Sequence, residues 1–121
     1  MKHSTGTPTK AEKARMDAMK LMCKCVACYQ VGIVRSGHIE IHHLLSGNKR
    51  IGHMATVSLC PWHHRGVIYG NAVTAAEAAE MFGPSLAHGS KPFRAKFGTD
   101  AELLALQNAL LGKPDTIGDG I

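Results

Sequence analysis

Two pairs of adjacent histidines are the residues of this chain with the clearest chemical potential. His42 and His43 end an alternating apolar run, and His63 and His64 follow Cys60 downstream. A neutral imidazole can bind a divalent cation or accept a proton near neutral pH. Hydrolysis of a phosphodiester needs both functions, a cation at the phosphate and a base for the attacking water. We therefore expect one of His42 and His43 to bind a cation and the other to deprotonate water.

A second kind of metal site is indicated by the cysteines. Cys25 and Cys28 have the spacing with which two thiolates wrap one ion, and Cys60 and His63 repeat that spacing downstream. We predict that these four residues hold a structural Zn²⁺. A redox pair uses the same CxxC spacing, but no thioredoxin-like βαβ pattern follows it here.

The ligand set leaves alternatives open. Cys23 can replace Cys25, although its spacing to Cys28 is less usual, and His53 is the other competitor. A part in metal binding is undecided for four residues: Cys23, His38, His53 and His88.

The composition indicates one small domain that binds a polyanion. The chain has 121 residues, 45% of them hydrophobic, and a formal net charge of +5. A chain of this length can bury a core but benefits from a metal staple. Since no signal peptide or bilayer-spanning apolar run is visible, we expect a reduced cytosolic protein without a membrane partner. The positive charge favours DNA or another polyanion.

The elements that must position the histidines can be assigned from capping and alternation. A capping box from Thr9 to Glu12 predicts a helix over residues 10–22. Residues 38–45 alternate as a strand, so that His42 and His43 point to opposite sides, and residues 55–59 predict a second strand. Cys60-Pro61 predicts the start of a short helix.

The second half of the chain is expected to supply helices that support that site. A capping box at Thr74 opens a helix that ends near Phe82, residues 85–98 are expected to be irregular, and a helix from Thr99 should stop at Gly112. We expect Trp62 to fill the core. The predicted organisation is a flexible basic arm at 1–8, one domain at 9–112 with its finger core at about 25–66, and a mobile tail at 113–121.

The strand, histidine pair, second strand and short helix together resemble the HNH, or ββα-metal (His-Me finger), endonucleases. The resemblance implies that His43 is the general base and that His42 binds the catalytic ion. Leu59-Cys60-Pro-Trp-His63-His64 matches a Leu-Cys-x-x-Cys-His run of zinc-stapled members if His63 replaces the second Cys, which makes His64 the other catalytic ligand. The implied fold is small α+β: a zinc-stapled ββα-metal core with flanking helices and long irregular loops.

A narrower resemblance rests on a set of motifs between about Cys25 and Leu110. The sequence is similar to the phage-borne Ref-type recombination-enhancement nucleases, whose DNA cutting is directed by RecA filaments on DNA. The resemblance implies a DNA endonuclease of the bacterial cytoplasm, with a RecA filament as partner. The motifs are Glu40-Ile-His-His-Leu-Leu-Ser-Gly, Arg50-Ile-Gly-His, Leu59-Cys-Pro-Trp-His-His-Arg-Gly, Gly83-Pro-Ser-Leu-Ala and Phe97-Gly-Thr-Asp-Ala-Glu-Leu-Leu.

The chain departs from the HNH pattern at its central Asn, whose place falls near Ala55. Thr56 is a candidate substitute that steadies the loop, His53 is a candidate for contact with phosphate or metal, and a backbone carbonyl is a candidate partner for the second ring nitrogen of the base. With two protein ligands, the catalytic ion keeps open positions, which suits Mg²⁺ or Mn²⁺ in use and Zn²⁺ in a crystal.

Contact with DNA is expected to be collective and weakly specific, because no helix or strand rich in Arg, Asn and Gln is evident. The alternative function is a non-catalytic zinc knuckle that binds nucleic acid or a recombination protein. The candidate phosphate contacts are Lys49, Arg50, Arg65, Lys91, Arg94 and Lys96.

Overall fold

We analysed the chain in a computed structural model, which describes the backbone of residues 6–47, 49–68 and 72–120 and side chains as far as residue 112. The fold is small α+β, as expected from the sequence. Residues 1–5 of the predicted arm lie outside this description. The elements in chain order are α1 (Lys10–Met22), α2 (Val26–Gln30), β1 (Glu40–His43), β2 (Leu45–Ser46), β3 (Lys49–Arg50), β4 (Thr56–Leu59), α3 (Pro61–Arg65), α4 (Ala75–Phe82), a 3₁₀ turn (Leu86–His88), α5 (Ser90–Phe97) and α6 (Asp100–Gly120).

Two short antiparallel strand pairs form the sheets. β1 pairs with β4, which sets His43 opposite Thr56 and His42 opposite Val57, and β2 pairs with β3 in a small hairpin. The strand predicted over 38–45 is therefore divided between β1 and β2. Its second half belongs to the hairpin with β3, which the alternation did not predict. Alternation holds within β1, so the adjacent histidines serve opposite faces of the sheet.

Side chains from two helices cover the outer edge of β4. Arg15 of α1 donates to the carbonyl of Thr56 at 2.7 Å. The buried Gln107 of α6 accepts the backbone N–H of Ser58 at 2.7 Å. Leu44 donates to the carbonyl of Ala55 on the β1 side. Because backbone groups alternate in direction along a strand, those of Thr56 and Ser58 face away from β1. Helices far apart in sequence are thereby fixed to one strand edge.

The capping boxes begin helices where the sequence predicts them. Thr9 and Glu12 exchange hydrogen bonds at the start of α1, and Thr74 and Glu77 do the same at the start of α4. α6 also begins after its capping residue, Thr99. However, α6 continues to Gly120, past the end predicted at Gly112. Although a proline removes one backbone hydrogen bond from a helix, the helical backbone continues through the proline at position 114.

The prediction that residues 85–98 are irregular is wrong. The segment contains the 3₁₀ turn and the whole of α5. Pro92 lies in the first turn of α5, where a backbone N–H has no helical partner and its loss costs nothing. Phe93 and Phe97 lie one turn apart and both are buried, so α5 is an amphipathic helix held by two aromatic side chains.

The core lies between the β1–β4 sheet and the helices. Trp62 is fully buried, as predicted, and its indole N–H donates to the carbonyl of Gly83 at 2.9 Å. That bond ties α3 to the end of α4. Among the described residues, no helix has the length and apolar content required to cross a bilayer.

Two glycines give a matched test of this packing. A Cβ added to Gly83 would lie 2.7 Å from Cζ of Phe97, at a φ of +91°, whereas a Cβ on the helical Gly112 would meet nothing within 4 Å. We expect Gly83→Ala to lower the free energy of unfolding by about 1–3 kcal/mol through strain and overpacking. Gly112→Ala should raise it by about 0.5–1 kcal/mol, because alanine favours the helix.

Chemical denaturation of the two variants and the wild type, monitored by circular dichroism, measures both changes. Equal stability of Gly83→Ala and the wild type would contradict the described contact between Gly83 and Phe97.

Candidate metal centres

A buried cluster of three thiols and one imidazole joins α2 to α3. Cys25 caps α2 and Cys28 lies within it. In the same way, Cys60 caps α3 and His63 lies within it. Their ligand atoms all lie within 4.8 Å of one another, and all four residues are buried. The grouping predicted from the two short spacings is therefore present, and it could hold a structural metal such as zinc.

The distances within the cluster fit a tetrahedral ion. The Sγ atoms of Cys28 and Cys60 are 3.7 Å apart, and Nδ1 of His63 lies 3.3–3.5 Å from the three sulfurs. A tetrahedron with Zn–S bonds of about 2.3 Å and Zn–N bonds of about 2.0–2.1 Å has edges of roughly 3.8 and 3.6 Å. The donor set thus suits zinc in number and chemistry, and these four distances are close to the edges of such a tetrahedron.

The other ring nitrogen of His63 fixes its tautomer. Nε2 lies 2.8 Å from the carbonyl oxygen of Phe82, which can only accept a hydrogen bond. The proton on Nε2 leaves the lone pair of Nδ1 for a metal. Burial raises the pKa of the Cys25 thiol. A cation that binds here must displace protons, so its affinity falls in acid.

The alternative ligands do not reach this cluster. Cys23 is half-buried with φ at +53°, and its thiol points to the carbonyl of Lys20 at 3.4 Å. His53 lies on the other side of the sheet, against His43. His38 is exposed with Nε2 3.7 Å from Glu40, and His88 packs its ring on Trp62. None of these four joins the described Cys₃His group.

His42 and His64 form a second histidine pair beside the buried cluster. Their ring centroids are 5.2 Å apart in an edge-to-face arrangement, with His42 on β1 and His64 on α3. Burial, and then the influence of His64, lowers the pKa of His42 to about 4. His42 is therefore neutral at pH 7 and keeps a lone pair. The pair joins strand and helix at a place where a cation could bind.

Glu40 positions the helical member of this pair. Its carboxylate accepts from Nδ1 of His64 at 2.8 Å and from Nε of Arg65 at 2.8 Å. The hydrogen bond from Arg65, and then the one from His64, hold the pKa of Glu40 at about 2, against the opposing effect of burial. A permanent carboxylate on Nδ1 keeps the proton there and leaves the Nε2 lone pair of His64 for a metal, as carboxylates bonded to metal-binding histidines do.

His43 belongs to a different hydrogen-bond chain on the opposite face. Its Nε2 is 3.0 Å from Nδ1 of His53, and Nε2 of His53 is 2.9 Å from the carbonyl oxygen of Gly6. A carbonyl can only accept, so a neutral His53 carries its proton on Nε2 and accepts on Nδ1. His43 must then donate from Nε2, which leaves its Nδ1 as a proton acceptor.

The environment keeps His43 neutral. Burial, then the charge of Arg50 and the neighbouring His53, lower its pKa from the ordinary value. The backbone of His53 is held by the hydroxyl of Thr56, which donates to its carbonyl at 2.8 Å. Arg15 in turn donates to the Thr56 hydroxyl at 3.0 Å. This hydrogen bond ties Thr56 to the loop that carries His53, and the role of Thr56 as a substitute for the central Asn stays a prediction.

The structure corrects two expectations for this chain of residues. His53 is buried and uses both ring nitrogens within the protein, so its contact with phosphate or metal is not supported. The partner of His43 is an imidazole and not a backbone carbonyl. Gly6, in the arm predicted to be loose, contributes to the chain through its carbonyl.

The residues predicted to contact phosphate differ in whether they take part in an ion pair. Lys49 and Arg50 are exposed on the hairpin, and Lys91 and Lys96 are exposed on α5. Arg65 is engaged by Glu40. Arg94 pairs with Asp100, at 3.3 Å.

Comparison with known proteins decides the family. Residues 8–112 match the family described as recombination enhancement, RecA-dependent nuclease. The chain belongs to this family. No individual curated protein matches the sequence. The RecA-dependent nuclease family implies a nucleic-acid substrate and a link to RecA, and it confirms the narrower of the two resemblances. The matched region extends beyond the motifs and includes α1.

Two residues near the pair of His42 and His64 were not assigned a role from the sequence. Glu40 lies on the same strand face as His42, because side chains alternate along a strand, so its proximity to His42 could be predicted. Its hydrogen bond to His64 could not, because that bond depends on the position of α3. Asp100 influences His42 electrostatically from α6, and no local pattern connects two positions so distant in the chain.

A pair of cysteine substitutions tests the buried cluster. We expect Cys28→Ser to lose stoichiometric zinc and to lower the free energy of unfolding by more than about 3 kcal/mol, because the metal ties two five-residue helices. Cys23→Ser should keep both zinc and stability. Elemental analysis after dialysis and thermal unfolding measure the two effects, and equal zinc content in both variants would contradict the assignment.

Proposed function

We propose that the chain is a metal-dependent DNA endonuclease of the HNH type, which hydrolyses phosphodiester bonds with low sequence specificity. The observation that carries the proposal is the placement of His42, His43 and His64. The imidazoles of His42 and His64 converge from strand and helix, while His43, the next residue on the strand, keeps a ring nitrogen that can accept a proton. A purely structural zinc finger has no need for this arrangement.

The residues divide the reaction between them. His42 and His64 are the protein ligands for a catalytic Mg²⁺ or Mn²⁺, which when bound would stabilise negative charge on the scissile phosphate and the departing oxygen. His43 accepts the proton of the attacking water on Nδ1, since its Nε2 proton is committed to His53. Glu40 fixes the ring of His64, and Thr56 fixes the loop that carries His53.

The proposed HNH relationship is supported by the order of the elements. A strand that ends in the histidine pair is paired with a second strand, and the helix with the metal-facing histidine follows directly. His53 occupies the position in the loop that orients the base. We assign to it the work of the central Asn of the HNH pattern, which this chain lacks.

The proposed substrate and setting follow from charge and family. Exposed lysines and arginines of the hairpin and α5 supply contacts to phosphates that carry no sequence information. We place the reaction in phage or bacterial DNA recombination or processing, in the cytoplasm of a bacterial host. A RecA filament on DNA is the proposed partner, in accord with the family description.

The first test removes the base. We expect His43→Ala to reduce the nicking of supercoiled plasmid with Mg²⁺ or Mn²⁺ by about 10²–10⁴-fold, since proton abstraction by a positioned base contributes that much. His38→Ala is the matched control, because His38 is exposed on the approach to the same strand and should nick normally. The assay is run with and without a RecA filament on the DNA.

Zinc content and thermal unfolding verify that both proteins are folded. Equal cutting by His43→Ala and the wild type, or no cutting by either, would favour the alternative of a non-catalytic zinc module that binds nucleic acid or a recombination protein.

A second test concerns the partner of the base. We expect His53→Ala to lower kcat by about 10–100-fold with little change in KM, because His43 loses the acceptor that sets its tautomer. His53→Asn supplies a carbonyl oxygen in place of Nδ1 and should recover part of that loss. If the alanine and asparagine variants nick equally fast, the proposed orienting role of His53 is wrong.

A further inference from the structure

A cavity of about 300 Å³ opens beside the proposed active site, on the face of the sheet that carries His42. Its inner wall is apolar and buried, and includes Val57, Leu59 and Phe93. The cavity lies between β1, β4 and the helices α5 and α6. His42 lines it, so the space is continuous with the place where the phosphate would bind.

Polar residues line the accessible part of the same cavity, beside the exposed Leu45. Ser90 begins α5, and Arg94 and Asp100 form an ion pair across the start of α6. A hydroxyl, a guanidinium and a carboxylate together supply both hydrogen-bond donors and acceptors. An occupant that suits this cavity has an apolar face and a polar edge.

A nucleobase fits that description better than the other parts of DNA. Its faces are apolar and aromatic, and its edge carries donors and acceptors. A phosphate is disfavoured by the carboxylate of Asp100 and by the buried apolar wall. The volume is at the small end of ligand pockets, about 300–1,000 Å³, so it suits one base and not a longer segment.

We propose that this cavity binds one unpaired nucleobase of the DNA strand that is cut. This inference rests on the proposed nuclease function, because it places the phosphate of the same strand at His42 and His64. A base stacked in a duplex cannot enter such a pocket, so the substrate must be single-stranded there or must turn one nucleotide out of the helix. The site therefore selects DNA whose pairing is already broken near the cut.

The first measurement reports the position of the base and does not depend on cutting. The zinc-loaded His43→Ala protein is titrated with a duplex that carries a single unpaired 2-aminopurine, whose fluorescence rises when it leaves the base stack. We expect a severalfold rise on binding. Adding Ser90→Phe in the same protein should fill the cavity and remove the rise, while a fluorescein-labelled duplex shows by anisotropy that DNA still binds.

Ala95→Phe is the matched control for Ser90→Phe. Both residues are exposed on α5, but Ala95 does not line this cavity. The control should keep the fluorescence rise. The absence of a rise in the His43→Ala protein, or an equal rise with Ser90→Phe, would overturn the proposal.

The second measurement uses cutting in an otherwise wild-type protein. We expect a duplex with one mismatched pair to be cut about tenfold faster than its matched counterpart, because a mismatched base leaves the stack more easily. Ser90→Phe should lower cutting of both duplexes by about tenfold or more, and Ala95→Phe should leave both rates unchanged. Rates for Ser90→Phe within twofold of the wild type would overturn the proposal.

These outcomes separate the cavity from the nuclease function itself. If the wild type cuts, His43→Ala does not, and Ser90→Phe cuts normally, the base pocket is wrong and the nuclease function stands. If the wild type does not cut with or without a RecA filament, both proposals fail. If Ser90→Phe loses only the cutting that depends on the filament, the cavity docks a protein, which also contradicts a nucleobase pocket.

Discussion

The buried Cys₃His cluster is the constraint on which the site depends. Its ligands come from α2 and α3 and from the residues that cap them, and each of these helices has five residues. Helices of that length and a sheet of two four-residue strands do not persist alone in water. A tetrahedral ion held by the four donors can supply the missing cohesion, because the energy of metal binding becomes energy of folding. The aromatic pair of Phe93 and Phe97 closes over His63 from α5.

The adjacency of His63 and His64 links the two centres. Consecutive residues on a helix point about 100° apart, so one ring enters the buried cluster while the next faces the sheet. His63 is fixed by the carbonyl of Phe82, and His64 is fixed by Glu40. The position of the His64 imidazole is therefore set by that of His63. A rearrangement of the cluster would also displace His64 relative to His42.

The sequence predicted the parts of this site that depend on short spacing. The four ligands of the cluster follow from two repeated intervals, and the opposite directions of His42 and His43 follow from the alternation of a strand. The roles that were missed depend on tertiary packing. Glu40 reaches His64 only because α3 lies against β1, and His53 reaches His43 only because its loop folds back under Thr56.

The helix α5 shows the same limit in the fold. Local sequence patterns predict a loop here, because the segment contains Gly89, Pro92 and Gly98. The two phenylalanines nevertheless stabilise a helix, because they are buried against the cluster. The end of α6 was misjudged for a related reason, since local breakers predict where a helix is weak and not where it must stop. The three capping boxes, by contrast, are satisfied within four residues and were predicted correctly.

The covered edge of β4 has a consequence for association between molecules. An uncovered strand edge is a template for another chain, which can add a strand and start aggregation. Here the guanidinium of Arg15 and the amide of Gln107 already occupy the carbonyl of Thr56 and the N–H of Ser58. A sheet as small as β1–β4 is thus protected from edge-to-edge growth along β4. β4, which also holds the loop of His53 through Thr56, therefore offers fewer free backbone groups to another chain.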